Sequence, residues 1–162
     1  EPEWSQERLK SILFGKKVPD LYGESWNGGI AKGPVIATNL SVMIHLLGSS
    51  HIPIFKDSIL IIEDIGEAPY KIDRMLTQLR LSGLLHQLAG LGLGSFSNCI
   101  DIEQQQNTND FKLDQVLKDR TKDLEVPIVC NLPIGHCKGN GSLHLGELAI
   151  INGERGSISF LT

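Results

Sequence analysis

Ser58-Ile59-Leu60-Ile61-Ile62 is an unbroken apolar, largely β-branched run that ends abruptly in two acids, Glu63 and Asp64. A strand that is apolar at every position has no face to offer water, so it must lie inside a sheet covered on both sides. Sheets of that kind are made from strands alternating with helices, and the segments around the run supply them. The run is also far too short for a bilayer, which needs about 20 apolar residues, so no membrane association is expected.

Upstream, a first helix is expected from Ser5 to about Phe14, with Ser5 as its cap, Arg8 and Lys10 on the polar side and Leu9, Ile12 and Leu13 as an apolar face. Val18 to Gly33 turns to Gly, Pro and polar residues and reads as a loop entering a short strand, Val35 to Ala37. Thr38 or Asn39 then caps a helix carrying Leu40, Met43, Ile44 and Leu47, which stops at Gly48. Downstream, Pro69 suits the first turn of a helix with Ile72, Met75, Leu76, Leu79 and Leu84 inward, continuing toward Leu88 unless Gly83 ends it. Leu91 to Phe96 is a strand whose alternating glycines imply close approach by a neighbour. After a polar loop, Ser97 to Asp110, come a helix from Phe111 to Leu124, a strand Val126 to Cys130, and a hairpin of Leu143–Ile151 and Ser157–Leu161. The expected class is α/β, a mixed sheet sandwiched with helices.

At 162 residues the chain allows one compact domain, and 15 Lys+Arg against 19 Asp+Glu leave a net charge of −4, no footprint for nucleic acid. Three scattered cysteines, Cys99, Cys130 and Cys137, fit reduced thiols in a cytoplasmic protein better than a disulfide framework.

Two residues stand at strand ends, where open α/β sheets gather ligands: Glu63, and His136 in a Gly-His turn. A carboxylate and an imidazole delivered there can form the orienting pair of a catalytic triad, the alternative being capping or a surface ion pair. His136-Cys137 with His144 lacks the spacing of a metal site, and no metal is expected. His45, on a helix among apolar neighbours, reads as a satisfied helix histidine. Trp26 reads as a half-buried loop anchor or the border of a peptide groove. Asp73 and Arg74 read as a helix-surface ion pair or as a dimer or domain contact. No serine sits in a Gly-x-Ser-x-Gly elbow: Gly23-Glu24-Ser25 lacks the second glycine, and Ser95 follows Gly94 inside a strand pattern.

Gly33-Pro34-Val35-Ile36-Ala37-Thr38-Asn39-Leu40-Ser41, Leu47-Gly48-Ser49, the block Ile59 to Leu79 with Glu63-Asp64 and Asp73-Arg74-Met75, Val126-Pro127-Ile128 and Gly135-His136 follow one another in the order found in LD-carboxypeptidases. Over about Gly33 to Ile150 the chain resembles the C-terminal domain of that serine peptidase family, which includes the microcin-C immunity peptidases; Ala37-Thr38 departs from the two glycines common there. The resemblance implies a swivelling β/β/α-type C-terminal domain at 33–162, preceded by a linker helix and Gly-rich entry segment at 1–32, with the N-terminal nucleophile domain absent from this chain. It implies a Ser-Glu-His triad whose Glu falls on Glu63 and whose His falls on His136. Glu67 is the competing acid, its position favouring a solvated or capping role. It further implies release of terminal D-alanine from a murein tetrapeptide, in cytoplasmic peptidoglycan recycling, without metal or organic cofactor, by a homodimer whose partners are the muropeptide and the missing domain. The alternatives are an immunity peptidase acting on a peptide-nucleotide antibiotic, or a non-catalytic binding module on the same scaffold.

Overall fold

The apolar run becomes β4 (Ile59–Ile65), central and buried on both faces: Ile59 and Ile61 point into one apolar cluster, Leu60 and Ile62 into another. This is a computed structural model, describing residues 1–100 and 112–161. The other elements are α1 (Glu3–Leu13), β1 (Leu21–Tyr22), β2 (Glu24–Asn27), β3 (Ile30–Asn39), α2 (Leu40–Ile44), α3 (Pro69–Leu81), a 3-10 turn (Leu85–Gln87), β5 (Gly90–Ser97), α4 (Leu113–Thr121), β6 (Ile128–Cys130), β7 (Leu148–Asn152) and β8 (Ser157–Phe160). Most of the expected polar loop, with Gln104 to Gln106, and the expected helix start at Phe111 lie outside the described residues.

The strands form one mixed sheet in the order β1-β8-β7-β3-β4-β5-β6-β2. β3, β4, β5 and β6 run parallel, connected through α2, α3 and α4, as parallel pairing requires. β3 serves two ladders. Ile30–Pro34 pairs antiparallel with β7, and Val35–Asn39 pairs parallel with β4. The α/β class is therefore as expected, but the sheet curls instead of lying flat. Its two ends are β1 and β2, consecutive in the chain, so the sheet nearly closes on itself. Gly23 makes that junction possible, because a Cβ there would stand 2.1 Å from the Cys130 carbonyl oxygen. The inside of the curl holds Val35, Ile59, Ile61, Val129, Ala149, Ile151 and Ile158; the other face packs on α2, α3 and α4 through residues such as Met43, Leu76 and Val116.

Several local expectations correspond to what is found. Asn39 caps α2, its Oδ1 accepting from Val42 N at 3.0 Å. Pro69 opens α3, which ends at Leu81 with Ser82 as its C-cap, just before Gly83 (φ +73°). The β5 glycines meet close neighbours: a Cβ on Gly90 would lie 2.4 Å from Ile151 Cγ2, and one on Gly94 2.6 Å from the Ile134 oxygen.

Two expectations are corrected. The Gly/Pro stretch from Val18 to Gly33 is not only loop: it contains β1, β2 and the start of β3, whose pairing comes from partners more than a hundred residues away and leaves no local periodicity. In α1 the expected faces hold only at Lys10, which is exposed, while Ile12 is half-buried. Ser5 and Arg8 are buried, whereas Leu9, Leu13 and Phe14 are exposed. Ser5 is not the cap, since the helix starts at Glu3; its hydroxyl donates to the Asn140 oxygen at 2.6 Å. Backbone carbonyls on the opposing loop decide which side of this helix turns inward.

α3 and α4 are clasped by charge. Asp73 of α3 accepts from Arg120 Nε at 2.6 Å, while Arg74 lies 5.1 Å over the Tyr70 ring. Arg80 reaches Asp123 just beyond α4, and that hydrogen bond holds the Asp123 carboxyl at about 2, below its ordinary 3.8. A depressed carboxyl stabilises the fold above its unfolded value and loses that contribution as pH falls through its folded value. Asp123→Asn should therefore flatten the acid side of a stability-versus-pH curve between roughly pH 4 and 2. With Asp123 half exposed the effect should be small and shrink in salt, which urea melts at low and high ionic strength will read.

Candidate active site

Glu63 and Asp64 are adjacent on β4, and strand alternation sends them opposite ways. Asp64, 1% exposed, turns toward the helices and accepts from Asn39 Nδ2 at 3.0 Å, Ser41 N at 2.9 Å and Ile65 N at 2.8 Å. It is an architectural acid, tying the end of β4 to the start of α2. Glu63 follows the Ile59, Ile61 row toward the inside of the curl and is 7% exposed.

His136 reaches Glu63 from beyond β6. The chain past β6 keeps running beside β5: Leu132 N donates to Leu93 O at 3.0 Å and Ser95 N to Ile134 O at 2.8 Å. The Ser97 hydroxyl then donates to the His136 carbonyl, with Ser95 Oγ 2.6 Å behind it. Held this way, His136 points both its backbone N–H and its ring Nδ1 at one carboxylate oxygen, Glu63 Oε2, at 3.0 and 2.7 Å. A carboxylate facing Nδ1 selects the tautomer protonated there, so the remaining nitrogen, Nε2, is the one left to exchange protons. The acid is nearly sealed while the imidazole is 52% exposed, the asymmetry expected of a group that orients and one that works. Asn39, Glu63, Ser97 and His136 all lie at the carboxyl ends of the parallel strands.

A cleft of about 270 Å³ opens beside the pair, lined by Thr38, Asn39, Glu63, Gly135, Ser142 and Leu145 among others. Glu67, the competing acid, does not join it; it forms an i,i+4 ion pair with Lys71 at 3.0 Å. His45 Nδ1 sits 2.6 Å from the Ser41 carbonyl of its own helix, and His144 packs against Phe160 at 5.2 Å. Trp26 lines a different cavity, of about 470 Å³, with Lys118 5.2 Å over its ring. Among the described residues no three His, Cys, Asp or Glu side chains converge as a metal site, and no helix is long and apolar enough to cross a membrane. Burial pushes the Cys130 thiol up to about 11, and Cys99 and Cys137 are also raised by burial, which makes all three poor nucleophiles. Residues that sequence reasoning passed over are Ser97 and Asn140, which fix the His136 loop; nothing local to them signals a contact made across the sheet edge.

The sequence profile of the LD-carboxypeptidase C-terminal domain matches residues 32–151. The chain belongs to that family. It is 45% identical over 161 residues to a putative carboxypeptidase of Synechocystis, covering 99% of this chain and 52% of that protein. It is 35% identical over 118 residues to the murein tetrapeptide carboxypeptidase of Pseudomonas aeruginosa, covering 73% of this chain and 36% of that protein. Among solved structures, the muramoyltetrapeptide carboxypeptidase of Oxalobacter formigenes superimposes with a TM-score of 0.83 at 28% identity, over 97% of this chain and 54% of that one. The chain thus spans about half the length of the relatives it matches.

Proposed function

We propose that the protein to which this chain belongs is a serine LD-carboxypeptidase that releases the terminal D-alanine of a murein tetrapeptide in peptidoglycan recycling, and that this chain contributes Glu63 and His136 to its triad. The observation that supports the reading is the double contact of His136, backbone and ring, on a buried Glu63 beside an open cleft, in a chain of the LD-carboxypeptidase family. The serine comes from the half of the relatives' length that this chain does not span.

In this mechanism the seryl oxygen attacks the carbonyl carbon of the scissile bond as its proton passes to His136 Nε2. Glu63 stabilises the imidazolium through Nδ1–H. On collapse of the tetrahedral intermediate the C–N bond breaks, and the imidazolium gives its proton to the amine of the departing D-alanine. Water, deprotonated by the same nitrogen, then hydrolyses the acyl-enzyme. The route needs no metal because the imidazole does the activating. The cleft rim carries exposed Leu145, with exposed Ile65 following Asp64 on β4, a surface suited to an apposed domain that completes the pocket.

The test is release of D-alanine from a purified murein tetrapeptide by the full-length protein, with this chain alone assayed in parallel. Full-length protein should release D-alanine; the chain alone should melt cooperatively, because it holds both apolar clusters, yet release none, because the attacking hydroxyl and its oxyanion donors are missing. Release by the chain alone that disappears with His136→Ala would show an attacking nucleophile within this chain and overturn the division of labour. Full-length protein that ignores the tetrapeptide but cleaves a peptidyl-nucleotide would replace the substrate.

A further inference from the structure

Arg8 is 4% exposed, yet no carboxylate pairs with it among the described residues. Its Nε donates to the Ser142 carbonyl at 2.8 Å, its Nη1 donates to the Pro19 carbonyl, and its Nη2 is buried with no hydrogen-bond partner among the described residues. Burial presses its pKa down, with Asp20 opposing. A buried guanidinium in contact with carbonyl oxygens alone, with Asp20 acting on it without an ion pair, is expensive to desolvate.

What it holds is the far limb of the loop that presents His136. Residues 133–142 fold back on themselves: Gly141 N donates to Pro133 O at 2.6 Å, and Gly135 N to Asn140 Oδ1 at 3.1 Å. α1, with Glu1 just before it, clasps the returning limb. Ser5 Oγ donates to Asn140 O at 2.6 Å, Arg8 takes Ser142 O, and Gly139 N donates to Glu1 Oε2 at 3.1 Å. Asn140 is therefore fixed by α1 on its carbonyl and fixes Gly135, next to His136, through its side chain.

We propose that Arg8 is a positioning residue: by holding residues 140–142 against α1 it sets, through Asn140 and Gly135, where the backbone delivers His136 to Glu63. The role rests on the Glu63–His136 reading above. Arg8 acts at a distance from substrate, since its one unpartnered nitrogen is sealed from solvent.

The experiment uses full-length protein carrying Arg8→Ala, Arg8→Lys, Ser5→Ala, His136→Ala or, as a control at a clasp elsewhere, Arg80→Ala. Hydrogen exchange is followed in peptides spanning 131–142 and 59–65, and kcat and KM for D-alanine release are measured. Arg8→Ala should speed exchange in 131–142 but not in 59–65, and lower kcat about ten- to a hundredfold with KM within about threefold. Arg8→Lys, able to meet one carbonyl but not two in a fixed fork, should recover part of the loss. If Arg8→Ala fails to fold, Ser5→Ala applies the same test at the neighbouring clasp. Native exchange in 131–142 with kcat within about twofold overturns the proposal, as does an equal kcat loss in Arg80→Ala at equal loss of thermal stability. Full activity in His136→Ala would sink the triad reading instead, while the exchange arm still decides whether Arg8 holds the loop.

Discussion

In full-length protein His136→Ala should lower kcat for D-alanine release by about three to four orders of magnitude, and Glu63→Gln by a comparable factor, with KM changed far less. The first substitution removes the base outright. The second is subtler, because glutamine fits the same space and the fold should persist. Glu63 Oε2 accepts two N–H groups from His136. An amide in its place either keeps its oxygen there, losing the charge that stabilises an imidazolium, or turns its NH2 there, facing two donors and forcing the wrong tautomer. Glu67→Gln should stay within about threefold, because its i,i+4 pair with half-exposed Lys71 touches nothing in the cleft. Steady-state kinetics on the four proteins reads all of this; a larger loss at Glu67 than at Glu63 would move the acid.

The sequence displays what depends on local pattern. β4 is evident from unbroken apolarity, β5 from glycines that only close neighbours explain, α2 from its Asn39 cap, and the terminal hairpin from its turn residues. Elements made by distant pairing are hidden. β1 and β2 are two and four residues long and owe their existence to β8 and β6, so no period marks them. α1 misleads for a related reason: Leu9, Ile12 and Leu13 form a good apolar stripe, but the surface offered to the helix is a row of carbonyls, which a serine and an arginine satisfy better than leucines. Strand-end positions suggest that Glu63 and His136 could pair, and the family resemblance is what singles the pair out. Strand alternation separates Glu63 from Asp64, since the residue in step with Ile59 and Ile61 must share their side of the sheet.

Gly135→Ala should damage the site nearly as much as loss of the histidine's partner, although it removes no functional group. Gly135 has φ +103°, and a Cβ built on it would stand 2.5 Å from Glu63 Oε2 and 2.6 Å from Glu63 Cβ and Cγ. The Glu63 Cβ has little room to yield, because β4 pairs with β3 at Glu63 itself and with β5 on either side of it. The loop must move instead, and its movement lengthens both bonds from His136 to Glu63. A displacement near 1 Å costs about a hundredfold in rate when it misplaces a catalytic group, so kcat should fall by at least that factor. Stability alone cannot account for such a loss, and Gly146→Ala supplies the comparison. Gly146 also has positive φ, +79°, but a Cβ there meets open space. Both variants bear a backbone strain of about 1–2 kcal/mol, worth a few degrees in thermal midpoint, whereas only Gly135→Ala should lose activity. Equal kcat values in the two, with equal midpoints, would mean that the tight seat of Gly135 against Glu63 has no part in placing the imidazole.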